Sequence, residues 1–410
     1  MEKYSKYFLL DVGTVKEYVK EKVGYFGKEE ELEAIEIGDG NINYVFKVRN
    51  LRNGKSLIVK QADTVLRSSG RPLDMRRNKI EAEVLSIEDE LAEGFVPKIY
   101  LYDEDMYALS MEDISEYKNL RTEMAAGKIF PRLPEDIAAF MAGTLLPTTD
   151  LIMDRAKKKE RVKLFTNPEL CDITEDLVFM EPYYDYKGRN VILEENLDFV
   201  KEKLYGDKEL HANVGQLRDG FMNHAQALLH GDLHSGSIFV NREGTKVIDP
   251  EFAFYGPMGY DIGNVIGNLF FAWANKFYTA PGNSEFLAWI SDAVGKVADR
   301  FREKLNEKWD EIVTFPLYAN AEFKKSYIDK VMSDSFGYAG TEIIRRVVGD
   351  SKVKEVTDVE DRRLRVPMER ALIQIGIKLI KDRGVLRDGT DIVAVGTEYL
   401  CPAAVLPAEV

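Results

Sequence analysis

Three acidic residues in one part of the chain have the spacing and surroundings for phosphoryl-transfer chemistry. Asp232 lies in the stretch His230-Gly-Asp-Leu-His-Ser-Gly-Ser237, and Asp249 and Glu251 lie in Ile248-Asp-Pro-Glu251. Carboxylates held close together repel one another unless a cation or a proton intervenes. Asp249 and Glu251 are oxygen donors of the kind that Mg²⁺ prefers, and Asp232 would then accept or orient the proton of an attacking hydroxyl group.

The residues between these two stretches predict a β-hairpin. The apolar run at 238–240 is followed by the turn-like Asn241-Arg-Glu-Gly244 and by a second short strand at 245–248. A hairpin returns to its starting point, so we expect Asp232 and Asp249 to lie close together. An extended chain with Pro250 at its centre would point Asp249 and Glu251 to the same side.

A second set of residues is suited to binding phosphates. Gly38 and Gly40 in the turn Gly38-Asp-Gly-Asn-Ile-Asn43 would let backbone N–H groups approach an anion, although a plain hairpin turn explains them equally well. Lys60 lies near the end of the next strand, from which its ammonium group could reach the same phosphates. A solvated lysine at a sheet edge is the alternative.

Lys60 follows a buried-looking run and needs an acidic partner. Glu81 and Glu83 in the following helical segment are the candidates. Two positions apart on a helix, they point to different faces, so only one can face inward. We favour Glu81; two solvated glutamates are the alternative.

The order of predicted elements indicates an α+β fold of two lobes. Residues 1–113 form a β-rich lobe with strands at 32–37, 42–48, 56–61, 96–100 and 106–111 and a helix at 78–91. Residues 114–410 form a mainly helical lobe, with helical apolar spacing at 221–229, 286–301 and 368–380. A cleft between such lobes is a common place for a nucleotide.

Composition excludes several classes of partner. The 410 residues carry a formal charge of −14, which argues against nucleic acid. Two cysteines are too few for a disulfide framework, so we expect a reducing compartment and a cytoplasmic location. Apolar runs such as 265–274 are too short to span a bilayer, and the first residues do not resemble a signal peptide.

Two further pairs of residues allow more than one interpretation. His230 and His234 are interpreted as hydrogen-bonding organisers of the Asp232 loop, because Mg²⁺ prefers oxygen and no third clustered ligand would complete a zinc site. Arg345 and Arg346 are adjacent in a predicted helix, where their side chains diverge by about 100°. We therefore expect different contacts for the two guanidinium groups, either structural ion pairs or contacts with a substrate.

Several segments resemble the 5-methylthioribose kinase family over nearly the whole chain. The resemblance is carried by Gly38-Asp-Gly-Asn-Ile-Asn-Tyr-Val-Phe46, Val59-Lys-Gln-Ala62, Met111-Glu-Asp-Ile-Ser115, His230-Gly-Asp-Leu-His-Ser-Gly-Ser237 and Ile248-Asp-Pro-Glu-Phe-Ala-Phe-Tyr-Gly-Pro-Met-Gly-Tyr-Asp-Ile-Gly263. The long segment after Asp249 is the most specific, since aminoglycoside and choline kinases usually have a different pattern there. Ser237 departs from ordinary kinases, which have a metal-binding Asn at this position.

The resemblance implies a protein-kinase-like fold, ATP and Mg²⁺ as cofactors, and phosphorylation of the C1 hydroxyl of 5-methylthioribose in methionine salvage. It also implies a homodimer. By position it assigns substrate binding to Asp232, Arg345 and Arg346, catalysis to Asp232, and metal binding to Asp249 and Glu251. The ATP-binding positions that it implies are Gly38, Gly40, Asn43, Lys60, Glu112, Asp113, Ile114, Asp249, Pro250 and Glu251.

Two other functions remain open on the sequence. A related kinase could act on another small alcohol, such as an aminoglycoside, choline or another sugar. A catalytically silent nucleotide-binding regulator could share the fold. Intact Lys60, Asp232 and Asp249 speak against the second alternative.

Overall fold

The computed structural model describes residues 3–37, 43–65 and 75–401. The chain divides into two compact units, one of Met1–Tyr117 with Lys246–Ala253 and one of Lys118–Thr245 with Phe254–Val410. The domain limits 1–113 and 114–410 stay predictions. That Lys246–Ala253 belongs with the first unit was not foreseen from the sequence.

The first unit is built on a five-stranded antiparallel sheet. Its strands stand in the order β1-β2-β3-β5-β4, and they are β1 (Leu32–Glu36), β2 (Asn43–Asn50), β3 (Ser56–Ala62), β4 (Ile99–Asp103) and β5 (Ala108–Glu112). Strand β3 lies at the centre of the sheet and is therefore buried almost throughout. Its residue Lys60 is 5% exposed. The alternative of a solvated edge lysine is therefore wrong.

Two helices complete the first unit. Helix α1 (Thr14–Tyr18) continues into a π-helical turn (Val19–Val23), and α2 (Arg76–Leu91) follows the third strand. Buried residues of α1 pack in one core with the sheet residues Phe46, Val48 and Leu57. The predicted order of five strands and one helix is confirmed, but β4 begins three residues later than expected, after Pro97, which has no N–H to donate to a ladder.

The second unit is mainly helical, as predicted, and the fold class is α+β. Its α-helices in chain order are α3 (Leu120–Ala125), α4 (Leu133–Leu145), α5 (Arg155–Leu164), α6 (Pro168–Phe179), α7 (Glu181–Tyr184), α8 (Leu197–Val200), α9 (Lys208–Asn223), α10 (Gly259–Thr279), α11 (Ser284–Ile312), α12 (Ala321–Val348), α13 (Lys354–Thr357), α14 (Arg362–Lys381) and α15 (Gly389–Leu400). Short 3₁₀ and π-helical turns lie at Leu146–Thr148, Glu194–Asn196 and Lys201–Tyr205, and a 3₁₀ turn of the first unit at Pro250–Phe252.

Short strands accompany these helices. They are β6 (Lys118–Asn119), β7 (Ala227–Leu228), β8 (Ile238–Val240), β9 (Thr245–Val247) and β10 (Tyr255–Gly256), with β6 antiparallel to β8 and β7 antiparallel to β10. The predicted turn between β8 and β9 is present. Asn241 closes it by accepting hydrogen bonds from the N–H groups of Glu243 and Gly244 through its side chain.

Most long helices of the second unit begin at an Asn or Asp whose side chain accepts a backbone N–H of the first turn. This cap satisfies a donor that the helix itself leaves unpaired. The caps are Asp154, Asp207, Asn283, Asn320, Asp361 and Asp388.

The helical predictions at 286–301 and 368–380 are confirmed within α11 and α14, whereas the prediction for 221–229 is wrong beyond Asn223. Helix α9 ends at Asn223, and Ala227–Leu228 pairs with a strand. Periodicity cannot distinguish a short apolar strand from a buried helical turn.

Helix α10 lies in the core of the second unit, with every residue from Gly259 to Ala274 buried. It packs so closely on α12 that a Cβ added at Gly263 would lie 2.6 Å from the backbone nitrogen of Ala339. Among the described residues, no helix combines the length and the apolar character that a membrane span requires.

Candidate active site

Lys60 of the first unit is held by two carboxylates. Its Nζ donates to Glu81 Oε1 at 2.8 Å and also to Asp249 Oδ1. Glu83 instead faces Lys79, 4.0 Å away and partly exposed. The structure thus joins Lys60 to Glu81, the favoured one of the two candidates.

The charge on Lys60 is stabilised by this arrangement. Burial alone would lower the pKa of Lys60, but attraction to Asp249, Glu81 and Glu251 outweighs burial and raises the pKa above its ordinary value. The lysine stays protonated at every physiological pH. A buried cation held between acids can transfer its contacts to a phosphate with little movement.

Asp249 has an unusual backbone conformation. Its φ of 66° and ψ of 46° lie in the left-handed region, and Pro250–Phe252 then forms a 3₁₀ turn. The expectation of an extended Asp-Pro-Glu chain is wrong, because the left-handed residue turns the chain before Pro250. Asp tolerates this region better than most residues, and such conformations are concentrated at functional sites.

Glu251 lies against a buried arginine. Its Oε2 is 3.5 Å from Arg77 Nε, and Arg77 Nη2 donates to Asn43 Oδ1 at 3.0 Å. Asn43 and Glu251, two of the predicted nucleotide-site residues, are thereby connected through Arg77. Arg77 was missed by the sequence reasoning, and its only signal is a basic residue at the start of α2.

The donor set fits a Mg²⁺ ion brought with a nucleotide. No group of three or more His, Cys, Asp and Glu side chains suitable for a metal occurs in the described part of the chain. Mg²⁺ is usually held by one or two carboxylates together with substrate phosphates and waters, so two acids suffice. The Asp249 side chain is 44% exposed and can reach such an ion, whereas Glu251 must share its carboxylate with Arg77.

The predicted adenine-binding segment follows β5. The Asp113 side chain bonds Ser56 Oγ at 2.6 Å and lies 2.8 Å from Lys47 Nζ, so it holds the segment in place. Glu112 Oε2 lies 3.2 Å from Lys246 Nζ. Backbone groups are used as well, since the Glu112 N–H donates to the Lys98 oxygen and the Ile114 oxygen accepts the Tyr117 N–H, both at 2.8 Å. Adenine binding by Glu112 to Ile114 stays a prediction.

Gly38 and Gly40, proposed for phosphate binding, lie outside the described residues.

Asp232 of the second unit stands in a loop that its own histidines organise. His234 Nδ1 accepts the backbone N–H groups of Gly236 and Ser237, both at 3.1 Å, and His230 Nδ1 accepts the N–H of Asp232 at 3.3 Å. The interpretation of both histidines as loop organisers is confirmed. Because Nδ1 of His234 is an acceptor, its proton is on Nε2, which lies 3.4 Å from Asp232 Oδ2.

Ser237, at the position of the kinase Asn, also serves the loop. Its hydroxyl donates to the backbone oxygen of Asp232 at 3.0 Å. Asp261 at the start of α10 anchors the other end, accepting the N–H groups of His230 at 2.7 Å and Gly231 at 3.0 Å. Burial raises the pKa of Asp261 to about 7, although both N–H groups oppose the shift. Sequence reasoning missed Asp261, whose signal is an acid among the apolar residues after Tyr260.

Both arginines of the predicted pair converge on Asp232. Arg345 Nη2 and Arg346 Nη2 each lie 3.9 Å from Asp232 Oδ1. Burial would raise the pKa of Asp232, but attraction to His234, Arg346, Arg345 and His230 outweighs burial and lowers it to about 2. Asp232 is therefore ionised at neutral pH, a weak base but a strong hydrogen-bond acceptor.

The expectation that the two arginines make different contacts is wrong, and Glu342 is the reason. Glu342, 1% exposed, lies three and four residues before them on the same face of α12. Its carboxylate binds Nε of Arg345 and, at 3.1 Å, Nε of Arg346. The arginine side chains are long enough to reach the same carboxylate although they leave the helix in different directions. Glu342 was not singled out from the sequence, although its spacing from the arginines was visible.

Comparison with known proteins gives the class first. A family model described as phosphotransferase enzyme family matches residues 33–288, more than half of the chain. This range contains the Lys60 cluster and the Asp232 loop. The chain therefore belongs to the phosphotransferase enzyme family.

Curated relatives give the narrower family. A methylthioribose kinase of Bacillus pumilus is 34% identical over 91% of this chain and 93% of its own, and one of Escherichia coli is 37% identical over 86% and 88%. The chain therefore belongs to the methylthioribose kinase family. The solved structure of a Plasmodium vivax ethanolamine kinase covers 99% of this chain and 92% of its own at 14% identity and a TM-score of 0.47, a likeness that carries no argument here.

Proposed function

We propose that this protein transfers the terminal phosphoryl group of ATP to the C1 hydroxyl of 5-methylthioribose. The observation that carries the proposal is the geometry around Asp232, a carboxylate kept ionised beside two arginines, in a chain of the methylthioribose kinase family. The products are ADP, the sugar 1-phosphate and one proton.

On the substrate side, Asp232 accepts the hydrogen bond of the C1 hydroxyl and orients its oxygen toward the terminal phosphorus. A new bond forms between that oxygen and phosphorus as the bond to the bridging oxygen of ADP breaks, and the hydroxyl proton leaves by way of Asp232 to solvent. Arg345 and Arg346 balance the charge of Asp232 and are near enough to bind sugar hydroxyls or the transferring oxygens.

On the nucleotide side, Lys60 exchanges its contact with Asp249 for the phosphates and keeps its contact with Glu81. Asp249 and Glu251 would hold Mg²⁺, which supplies positive charge to the phosphate oxygens when bound. The backbone from Glu112 to Ile114 would bind adenine, and Asn43, Gly38, Gly40 and Pro250 stay within the proposed ATP site.

The proposal is tested by incubating the purified protein with ATP, Mg²⁺ and 5-methylthioribose and following the product by ³¹P NMR. We expect a 1-phosphate ester that requires both Mg²⁺ and Asp232. Choline, an aminoglycoside and ribose in parallel distinguish a kinase of another small alcohol. No ester from the thiosugar, with turnover of another acceptor, would defeat the assignment, and no turnover of any acceptor would favour a silent regulator.

Two further expectations belong to the proposal. A homodimer is expected from the family resemblance, and sedimentation velocity of the full chain tests it. A cytoplasmic location is expected from the few cysteines, and fractionation of cells that express the protein tests it.

A further inference from the structure

One buried amide connects the groups that surround Asp232. Asn268 lies on α10 and is 1% exposed. Its Nδ2 donates to Glu342 Oε1 at 3.1 Å and to the backbone oxygen of Asn264 at 3.0 Å. Both donors of the amide are therefore used, and one of them holds the carboxylate that binds the two arginines.

The other end of the same amide faces the loop that carries Asp232. Asn268 Oδ1 accepts the hydroxyl of Ser235 at 3.1 Å and Nη2 of Arg121 at 3.3 Å. Arg121 also binds this loop directly, since its backbone N–H donates to the Ser235 oxygen at 3.2 Å and its Nε donates to Ser235 Oγ at 3.2 Å. An amide can join the Glu342 carboxylate to the donor groups of Ser235 and Arg121, because it has N–H donors on one side and an oxygen acceptor on the other.

We propose that Asn268 is a positioning residue that fixes the arginine pair relative to Asp232, through Glu342 on one side and Ser235 with Arg121 on the other. The proposal rests on the function proposed above, in which Asp232 and the arginines hold the reacting hydroxyl. Because Asn268 is 1% exposed, it acts through its hydrogen-bonded neighbours. It sets the distance between the loop and α12, on which the convergence of the guanidinium groups depends.

The negative charge of Glu355 offsets the positive charge of Arg121. It lies on α13, is 5% exposed, and has Oε1 at 3.4 Å from Arg121 Nε. Arg121, whose side chain is 24% exposed, and the buried Glu355 thus form a partly buried ion pair beside Asn268. Since a buried charge without a partner is costly, the pair keeps Arg121 against the loop.

The test is Asn268→Asp, which keeps the shape and the Oδ1 acceptor but puts a carboxylate oxygen where Nδ2 lies 3.1 Å from Glu342. Two carboxylates this close repel or share a proton. At about pH 8.5 we expect kcat/KM for 5-methylthioribose to fall on the order of 100-fold, because displacement of a reacting group by about 1 Å has this effect. The KM for ATP should not change.

A lower pH should restore the variant. When the two carboxylates share a proton, the introduced carboxyl can donate to Glu342 as the amide did. The ratio of variant to wild-type kcat/KM should therefore rise as the pH falls from about 8.5 to about 6. A purely structural defect would not recover in this way.

Asn196→Asp is the matched control. Asn196 is also 1% exposed and also joins a carboxylate to a guanidinium, donating to Glu369 Oε2 and accepting from Arg370 Nε, both at 2.8 Å. Both partners lie on α14, away from the Asp232 loop. We expect its activity ratio to stay near one at every pH, even if its stability falls.

A second variant, Ser235→Ala, removes the hydroxyl that Asn268 accepts and introduces no charge. We expect a smaller loss of kcat/KM, about threefold to tenfold, with no pH dependence of the ratio.

The proposal is overturned if Asn268→Asp keeps wild-type kcat/KM, or if its loss is independent of pH. Crystal structures of Asn268→Asp at about pH 8.5 and about pH 6 test the geometry separately. Glu342 and the arginines should shift from Asp232 only at the higher pH, and unmoved arginines would refute the proposal even if 5-methylthioribose were not the substrate.

Discussion

Replacing Glu81 by Gln tests how the buried Lys60 is stabilised. The substitution keeps the shape of the side chain and an oxygen that can accept from Lys60 Nζ, but removes the carboxylate 2.8 Å away. Burial raises the pKa of Glu81 to about 8 although Lys60 opposes the shift, so the comparison is made above that pH, where the carboxylate is ionised. Removal of one member of a buried ion pair costs about 3–5 kcal/mol, because the other charge stays buried. Since Asp249 and Glu251 still attract Lys60, we expect the lower end, a loss of about 3 kcal/mol in the free energy of unfolding.

Glu83→Gln is the matched control on the same helix. Glu83 is 4.0 Å from Lys79, and its side chain is 33% exposed. Partly exposed pairs of this kind contribute about 0–1 kcal/mol, so we expect at most that loss. Urea unfolding of both variants measures the difference. A higher KM for ATP in Glu81→Gln alone should accompany it, because Lys60 loses part of its support.

The reasoning about Lys60 would be refuted if the two variants lost the same free energy of unfolding within about 0.5 kcal/mol. Equal losses would mean that Asp249 and Glu251 stabilise the lysine in the free protein without Glu81.

Three further predictions concern the second unit. The lowered pKa of Asp232 stabilises the fold at pH values above the ordinary pKa of an aspartate, so Asp232→Asn should lose about 2 kcal/mol of unfolding free energy at pH 7. The difference from wild type should vanish as the pH falls from about 4 to about 2. Urea unfolding at several pH values measures this difference, and a difference that does not change with pH would contradict the prediction. Arg345→Ala and Arg346→Ala should each lower kcat/KM. Because both guanidinium groups lie 3.9 Å from the same oxygen, the double variant should lose at least about 0.5 kcal/mol less transition-state stabilisation than the two single variants together, as measured in a double-mutant cycle. Additive losses would indicate that the two arginines act independently. Gly263→Ala should destabilise the protein by about 1–3 kcal/mol in thermal unfolding, since its Cβ would lie 2.6 Å from a backbone atom. Gly215→Ala, whose Cβ would point into open space, should stabilise the protein by up to about 1 kcal/mol. A Gly263→Ala variant as stable as wild type would mean that α10 and α12 can separate.

Local patterns determined most of the first unit. Alternating apolar residues predicted the strands, and helical spacing predicted that only one of Glu81 and Glu83 would face Lys60. Such patterns depend on neighbours in sequence, so they can be read without knowledge of the fold. They failed at Asp249, because a left-handed residue before a proline gives no periodic signal.

The surroundings of Asp232 were decided by the tertiary structure. Its loop, the arginine pair and the helical spacing of Glu342 from that pair were visible in the sequence, but Asp261 and Asn268 are buried polar residues in the mainly apolar helix α10. Such residues have no short-range signature. Only the packing of α10 and α12 shows that their partners lie far away in sequence.

The sequence by itself predicted which groups would carry the chemistry: Lys60, Asp232, Asp249 and the arginine pair. Tertiary structure decided how their charges are balanced. The physical reason is that identity and spacing are fixed along the chain, whereas a pKa depends on every charge and buried surface within a few ångströms, most of which come from distant segments.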